Sequence, residues 1–134
     1  MSNLNTKIEA LSKTGEWLLQ NDTPRLELAA LKSKKENAWF TLENIQLSLK
    51  SLAEQFLEKS KLEKWLGNYQ MNYDRPSKSI GLIMAGNLPL VGFHDFLTVY
   101  LSGHKGQIKL SSKDAFLLPC IVEKLAELDP DIVD

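Results

Sequence analysis

Apolar positions along the chain follow two different rhythms. From residue 1 to 73 they recur at helical spacing, interrupted by glycine only at Gly15 and Gly67. Thr6 and Glu9 have the T-x-x-E spacing of a capping box, which predicts a first helix carrying Ile8, Leu11 and Leu18 on one face. Gly15 is expected to weaken it. Thr23 followed by Pro24 predicts a second helix start, since a proline at the first helical position gives up no needed hydrogen bond. That helix should fade near Asn37. Thr41 is the predicted cap of a third helix, with Ile45, Leu49, Leu52 and Phe56 on one buried face. Ser60 and Glu63 repeat the capping-box spacing and predict a short fourth helix carrying Leu62, Trp65, Leu66 and Tyr69. Trp39 and Phe40 precede Thr41, where an apolar residue can staple the start of the helix. Trp17, Trp39 and Trp65 are expected as core or interface anchors.

Residues 79–128 change rhythm. Ser79–Ala85 is a short apolar run bounded by Pro76 before and Gly86–Asn87 after, and it predicts a buried strand of a parallel sheet. Val91–Ser102 has helical spacing at Phe93, Leu97 and Leu101, with Gly103 as its C-terminal stop. Gln107–Leu110 predicts a second strand. A last helix, capped by Ser111 or Ser112, should run to about Leu128, with Pro119 kinking it or pushing its start later. The fold class is therefore α/β: a helical segment over 1–73, then a β-α-β-α unit over 79–134 with a right-handed crossover. Two strands alone do not make a stable sheet, so at least one more is expected to complete it.

Composition narrows the class. The 134 residues are 43% hydrophobic and 25% charged with a formal net charge of −1, the profile of a soluble globular protein. Acidic and basic residues are interleaved, and only Lys32, Lys34 and Lys35 cluster, which argues against nucleic acid as a partner. The single cysteine, Cys120, cannot form an internal disulfide. No apolar run is long enough for a transmembrane segment, and the N-terminus lacks the apolar core of a signal peptide. A cytoplasmic location is expected.

Candidate chemistry gathers after the two strands. Met84, Ala85, Gly86 and Asn87 form the turn at the carboxyl end of the first strand, the edge where open parallel sheets bind ligands. Small residues there admit a ligand to the backbone, and the next helix presents its donor-rich N-terminus. The turn is neither a P-loop nor a G-x-G-x-x-G fingerprint. Asn87 can donate to a developing oxyanion, or bond its own backbone as turn asparagines do. Lys109, between Ile108 and Leu110, needs an acceptor if buried; ribose hydroxyls, a phosphate or exposure at a sheet edge would each serve. Ser111 and Ser112 add neutral donors. His94 and His104 lie at opposite ends of the predicted helix, which argues against a shared metal, and Asp95 should cap or pair locally. Cys120, after Pro119 in an apolar helix, reads as a buried structural thiol rather than a nucleophile.

The stretch Gly81–Asp95, with Gly103–Lys105 and Ile108–Asp114, resembles the long-chain acyl-CoA reductases of the aldehyde dehydrogenase superfamily, typified by the fatty-acid reductase of bacterial bioluminescence. Trp39–Thr41 and Glu43–Ile45 resemble that family's helical N-terminal region. The resemblance implies a dinucleotide-binding domain of aldehyde dehydrogenase type and NADPH-dependent reduction of an acyl-CoA to an aldehyde through an acyl-cysteine. It implies Asn87 as the oxyanion donor and Lys109 as the contact to the adenosine ribose, beside Met84, Ala85, Gly86, Ser111 and Ser112. Many related dehydrogenases have a glutamate where this chain has Ser112, which implies NADPH over NADH. The family's catalytic cysteine lies in a separate domain, and Cys120 does not correspond to it. The expectation is an N-terminal part of a longer enzyme, inactive alone and prone to self-association. The alternatives are a non-catalytic module that binds a nucleotide or protein, and a purely structural helical domain.

Overall fold

A computed structural model describes residues 3–20 and 23–133. Four helices come first: α1 (Leu4–Leu18), α2 (Pro24–Glu36), α3 (Leu42–Gln55) and α4 (Lys59–Leu66). They are followed by β1 (Ser79–Ile83), α5 (Phe93–Ser102), β2 (Lys105–Lys109), α6 (Leu117–Leu128) and a 3-10 turn over Pro130–Val133. The α/β expectation therefore stands at the level of elements: six α-helices and a two-stranded parallel sheet among the described residues.

Local chemistry accounts for several helix ends. Thr41 accepts the Asn44 N–H at 3.0 Å and caps α3, as its sequence predicts. Two other predicted caps move. Asn3, not Thr6, starts α1: its Oδ1 accepts the Thr6 N–H at 2.9 Å, so the helix begins a turn earlier. Glu9, freed from a capping role, pairs with Lys59 in the first turn of α4. Helix α4 starts at Lys59 with Glu58 in the capping position, and the Ser60 hydroxyl donates to Glu58 at 2.6 Å instead of capping. Pro24 opens α2 as predicted, although the Thr23 side chain makes no capping bond.

Gly15 has a packing role that helical propensity alone does not reveal. A Cβ built on it would stand 2.9 Å from Leu57 Cβ, so its absence lets α1 lie close to the chain leaving α3. One apolar cluster joins both halves of the chain, from Leu11 and Ile45 to Leu97 and Leu125, with α1 and α2 both packed on α6. Of the three tryptophans, Trp17 and Trp65 pack at the margin of this core. Trp39 does not anchor it; 87% of its surface is exposed, and Phe40, 1% exposed, fills the core position instead. Phe56 and Tyr69 also lie farther out than their spacing predicts.

In the sheet, Ser79 pairs with Lys105 and Ile83 with Lys109 in parallel register. Helix α5 makes the crossover and covers one face. It ends where Gly103 takes a left-handed conformation (φ 83°), which glycine adopts without steric cost. The Tyr73 ring packs over that glycine, and its hydroxyl donates to the Leu101 carbonyl; burial raises its pKa to about 12. Ser79–Ala85 was expected to be buried on both faces. Instead exposure alternates along β1, and Ile83 at its end is 87% exposed. An apolar run sets strand propensity but not the number of faces covered.

Helix α6 also starts later than Ser111 or Ser112, at Leu117. Pro119 explains the delay. It falls in the first turn, where a missing N–H leaves no intrahelical bond unmade. Ser111 instead accepts the Lys113 N–H at 3.1 Å, within the loop after β2. No helix among the described residues is long and apolar enough to cross a membrane.

Candidate functional site

Because β1 and β2 are parallel and adjacent, their carboxyl ends lie side by side. Met84 extends the pairing by one bond, its N–H donating to the Lys109 carbonyl at 3.0 Å. Beyond it the two loops touch. A Cβ on Gly86 would fall 2.4 Å from Ser111 Oγ and 2.7 Å from Lys113 Cβ, so only glycine permits this approach. The predicted residues of the two turns, Met84, Ala85, Gly86, Asn87, Lys109, Ser111 and Ser112, therefore sit along one edge of the sheet.

Their side chains differ in availability. Asn87, Lys109 and Ser112 are exposed, and none makes a side-chain hydrogen bond or ion pair among the described residues. Lys109 is the last residue of β2 rather than an interior one, so exposure at the strand end resolves its need for an acceptor. Ser111 is half-buried, its hydroxyl oxygen engaged by the Lys113 N–H. Met84 turns away from solvent: a Cβ on Gly92 would lie 2.6 Å from Met84 Cγ, so the thioether covers the start of α5.

Two buried polar residues that sequence reasoning passed over tie this edge together. Asn37, 6% exposed at the end of α2, donates from Nδ2 to the carbonyls of Gly86 (3.3 Å) and Lys113 (3.2 Å). Its Oδ1 accepts the Trp39 N–H at 3.0 Å. Asp114, 7% exposed, accepts the Leu90 N–H at 2.7 Å through Oδ2, while its Oδ1 is buried without a partner. Desolvation raises its pKa, and the Leu90 bond opposes the rise. Leu90 is the one non-glycine residue with positive φ (58°) among those described. Helix α5 has no side-chain cap of its own; Asp114, from the other loop, holds Leu90, two residues before the capping position at Gly92. At the N-terminus of α5, expected to face a ligand, the Phe93 N–H is engaged by the Leu90 carbonyl at 3.1 Å.

The remaining candidates disperse. His94 packs its ring near Phe56 and Trp65, at 5.7 and 5.6 Å between centroids. His104 accepts the Lys78 N–H at 3.1 Å. Asp95 lies in the first turn of α5, where a carboxylate complements the helix dipole. Cys120 is buried in α6, and burial pushes its thiol pKa up, the opposite of what a nucleophile needs.

A cleft of about 570 Å³ runs along β2 from Lys105 to Ile108 and is bordered by Ser79 at the start of β1. On its wall the Lys7 ammonium stands 4.2 Å from the Tyr100 ring centroid, and the Tyr100 hydroxyl donates to Asp129 Oδ2 at 2.5 Å. Burial lowers the Lys7 pKa, opposed by Asp129 and Asp131. Neither Asn87 nor Lys109 borders this cleft; both stand on open surface. Comparison of the chain with known protein families, curated proteins and solved structures finds no match to any of them.

Proposed function

We propose that the carboxyl edge of β1 and β2 is half of a dinucleotide site, and that the chain serves as the cofactor-binding, N-terminal part of an NADPH-dependent acyl-CoA reductase. The observation that carries this reading is the contact between the two post-strand loops, which brings exposed Asn87 within one edge of exposed Lys109 and Ser112. The donor set fits the cofactor. Lys109 and Ser112 offer a cation and a hydroxyl to a ribose and its 2′-phosphate, and no carboxylate among the loop residues 110–113 repels that phosphate. Asn87 offers an amide N–H to the oxygen of an acyl carbonyl as negative charge develops there.

Bound NADPH would supply the hydride that takes a thioester to an aldehyde. Cys120 is unsuited to carry the acyl group, so the proposal requires a cysteine from outside these 134 residues. The chain alone is accordingly expected to bind NADPH without oxidising it in the presence of acyl-CoA. The buried Cys120 favours a second reading equally, a module that binds a nucleotide without chemistry; reductase activity in any larger protein containing this chain separates the two.

Cofactor affinity tests the site. Lys109→Ala is expected to weaken NADPH binding by roughly 10-fold or more, the loss of one charge-assisted contact. Ser112→Glu should weaken NADPH more than NADH by placing a carboxylate against the 2′-phosphate. NADPH affinity unchanged in both variants rules the edge out as the cofactor site.

A further inference from the structure

Three residues of the first loop, Asn87, Leu88 and Pro89, hang between two anchored backbone groups. Upstream, Asn37 Nδ2 holds the Gly86 carbonyl and ties it to the Lys113 carbonyl of the second loop. Because Asn37 Oδ1 is engaged by the Trp39 N–H, its amide cannot turn over without losing all three bonds. Downstream, Asp114 Oδ2 takes the Leu90 N–H and holds that leucine at φ 58°, a conformation that costs a branched side chain energy. The loop's own bonds, Val91 N–H to the Leu88 carbonyl at 3.3 Å and Phe93 N–H to the Leu90 carbonyl at 3.1 Å, are longer than the Asp114–Leu90 bond at 2.7 Å.

Asp114 leaves one oxygen buried and unpartnered, which is costly for a carboxyl group whose one side-chain hydrogen bond among the described residues restrains a loop. Stability alone favours an apolar residue there. We infer that Asn37 and Asp114 are positioning residues for Asn87, fixing from the helical half and from the second loop where its amide stands. The inference rests on the reading that Asn87 meets a bound carbonyl, for which a misplacement of even an ångström is expensive.

The test uses the whole 134-residue chain, ¹⁵N-labelled, with the Asn87 side-chain NH₂ signals and the exchange of the Leu90 amide as readouts. In the wild type the Leu90 amide is expected to exchange far more slowly than that of Asn87. Asp114→Ala and Asn37→Ala should shift the Asn87 NH₂ signals, and Asp114→Ala should speed Leu90 exchange by roughly 10- to 100-fold, the factor for one hydrogen bond to a charged acceptor. Asp114→Asn keeps an oxygen for Leu90 and should restore both readouts. Variants that lower the melting temperature but leave the Asn87 signals in place reduce the pair to a structural role and overturn the inference. A variant that fails to fold leaves the wild-type exchange to decide: a Leu90 amide as fast as that of Asn87 means there is no clamp. NADPH titration of the wild type runs beside these. A chain that shows the clamp and binds no NADPH sinks the cofactor reading, whereas normal NADPH binding without the clamp sinks only the positioning claim.

Discussion

Adding one methyl group at Gly86 tests whether the two loops truly meet. Its Cβ would lie 2.4 Å from Ser111 Oγ, 2.8 Å from Ser111 Cβ and 2.7 Å from Lys113 Cβ. Two of these are Cβ atoms fixed to backbone, so relief requires the loops to separate. Overpacking of this kind costs about 1–3 kcal/mol. With a shift of about 4 °C per kcal/mol for a domain of this size, Gly86→Ala should melt roughly 4–12 °C lower. Gly81 supplies the control. It lies in β1 with nothing within 4 Å of a built Cβ, so Gly81→Ala should gain about 0.4–1 kcal/mol by restricting the unfolded chain. The same substitution five residues apart is thus expected to have opposite signs. Adding Ser111→Gly to Gly86→Ala removes two of the three nearest atoms and should recover part of the loss. Thermal unfolding followed by circular dichroism measures all three. A Gly86→Ala protein as stable as the Gly81→Ala protein would mean the loops do not touch and the shared edge is lost.

Two further expectations concern buried polar groups. Tyr100→Phe removes the hydroxyl that donates to buried Asp129 and should cost roughly 1.5–3 kcal/mol in urea unfolding; a loss below about 0.5 kcal/mol would deny that bond. Asp114 has its pKa raised by folding, so its contribution to stability is fully present below the unfolded value of about 3.9 and is lost as pH rises through the folded value. Asp114→Asn should therefore gain on the wild type as pH rises above about 4, and a difference that stays constant with pH would show no shift.

What the sequence made legible was what neighbours in the chain decide. Thr41 caps α3 because its partner, the Asn44 N–H, is three residues away, and Gly103 ends α5 through its own φ. Thr6 and Ser60 misled because spacing alone does not choose between nearby polar residues; Asn3 and Glu58, three and two residues earlier, took the capping positions. The turn residues from Met84 to Asn87 and from Lys109 to Ser112 were legible as the ends of two strands. That Gly86 touches Ser111 was not, since it depends on parallel pairing across α5. Asn37 and Asp114 were least visible of all. Their partners lie 49, 76 and 24 residues away, and a lone asparagine at a helix end or an aspartate in a loop ordinarily reads as solvated. Trp39 erred in the opposite direction: its size suggested an anchor, but Phe40 took the buried position.

The loop edge after β1 and β2 is the proposed dinucleotide site. Titrating NADPH into the ¹⁵N-labelled chain, with amide shifts mapped residue by residue, tests it most directly. Saturable shifts concentrated at residues 84–87 and 109–113 are expected. None are expected at Lys7, Tyr100 and Lys105, which line the cleft beside β2. Shifts centred on that cleft, or no saturable shifts at all, would contradict it.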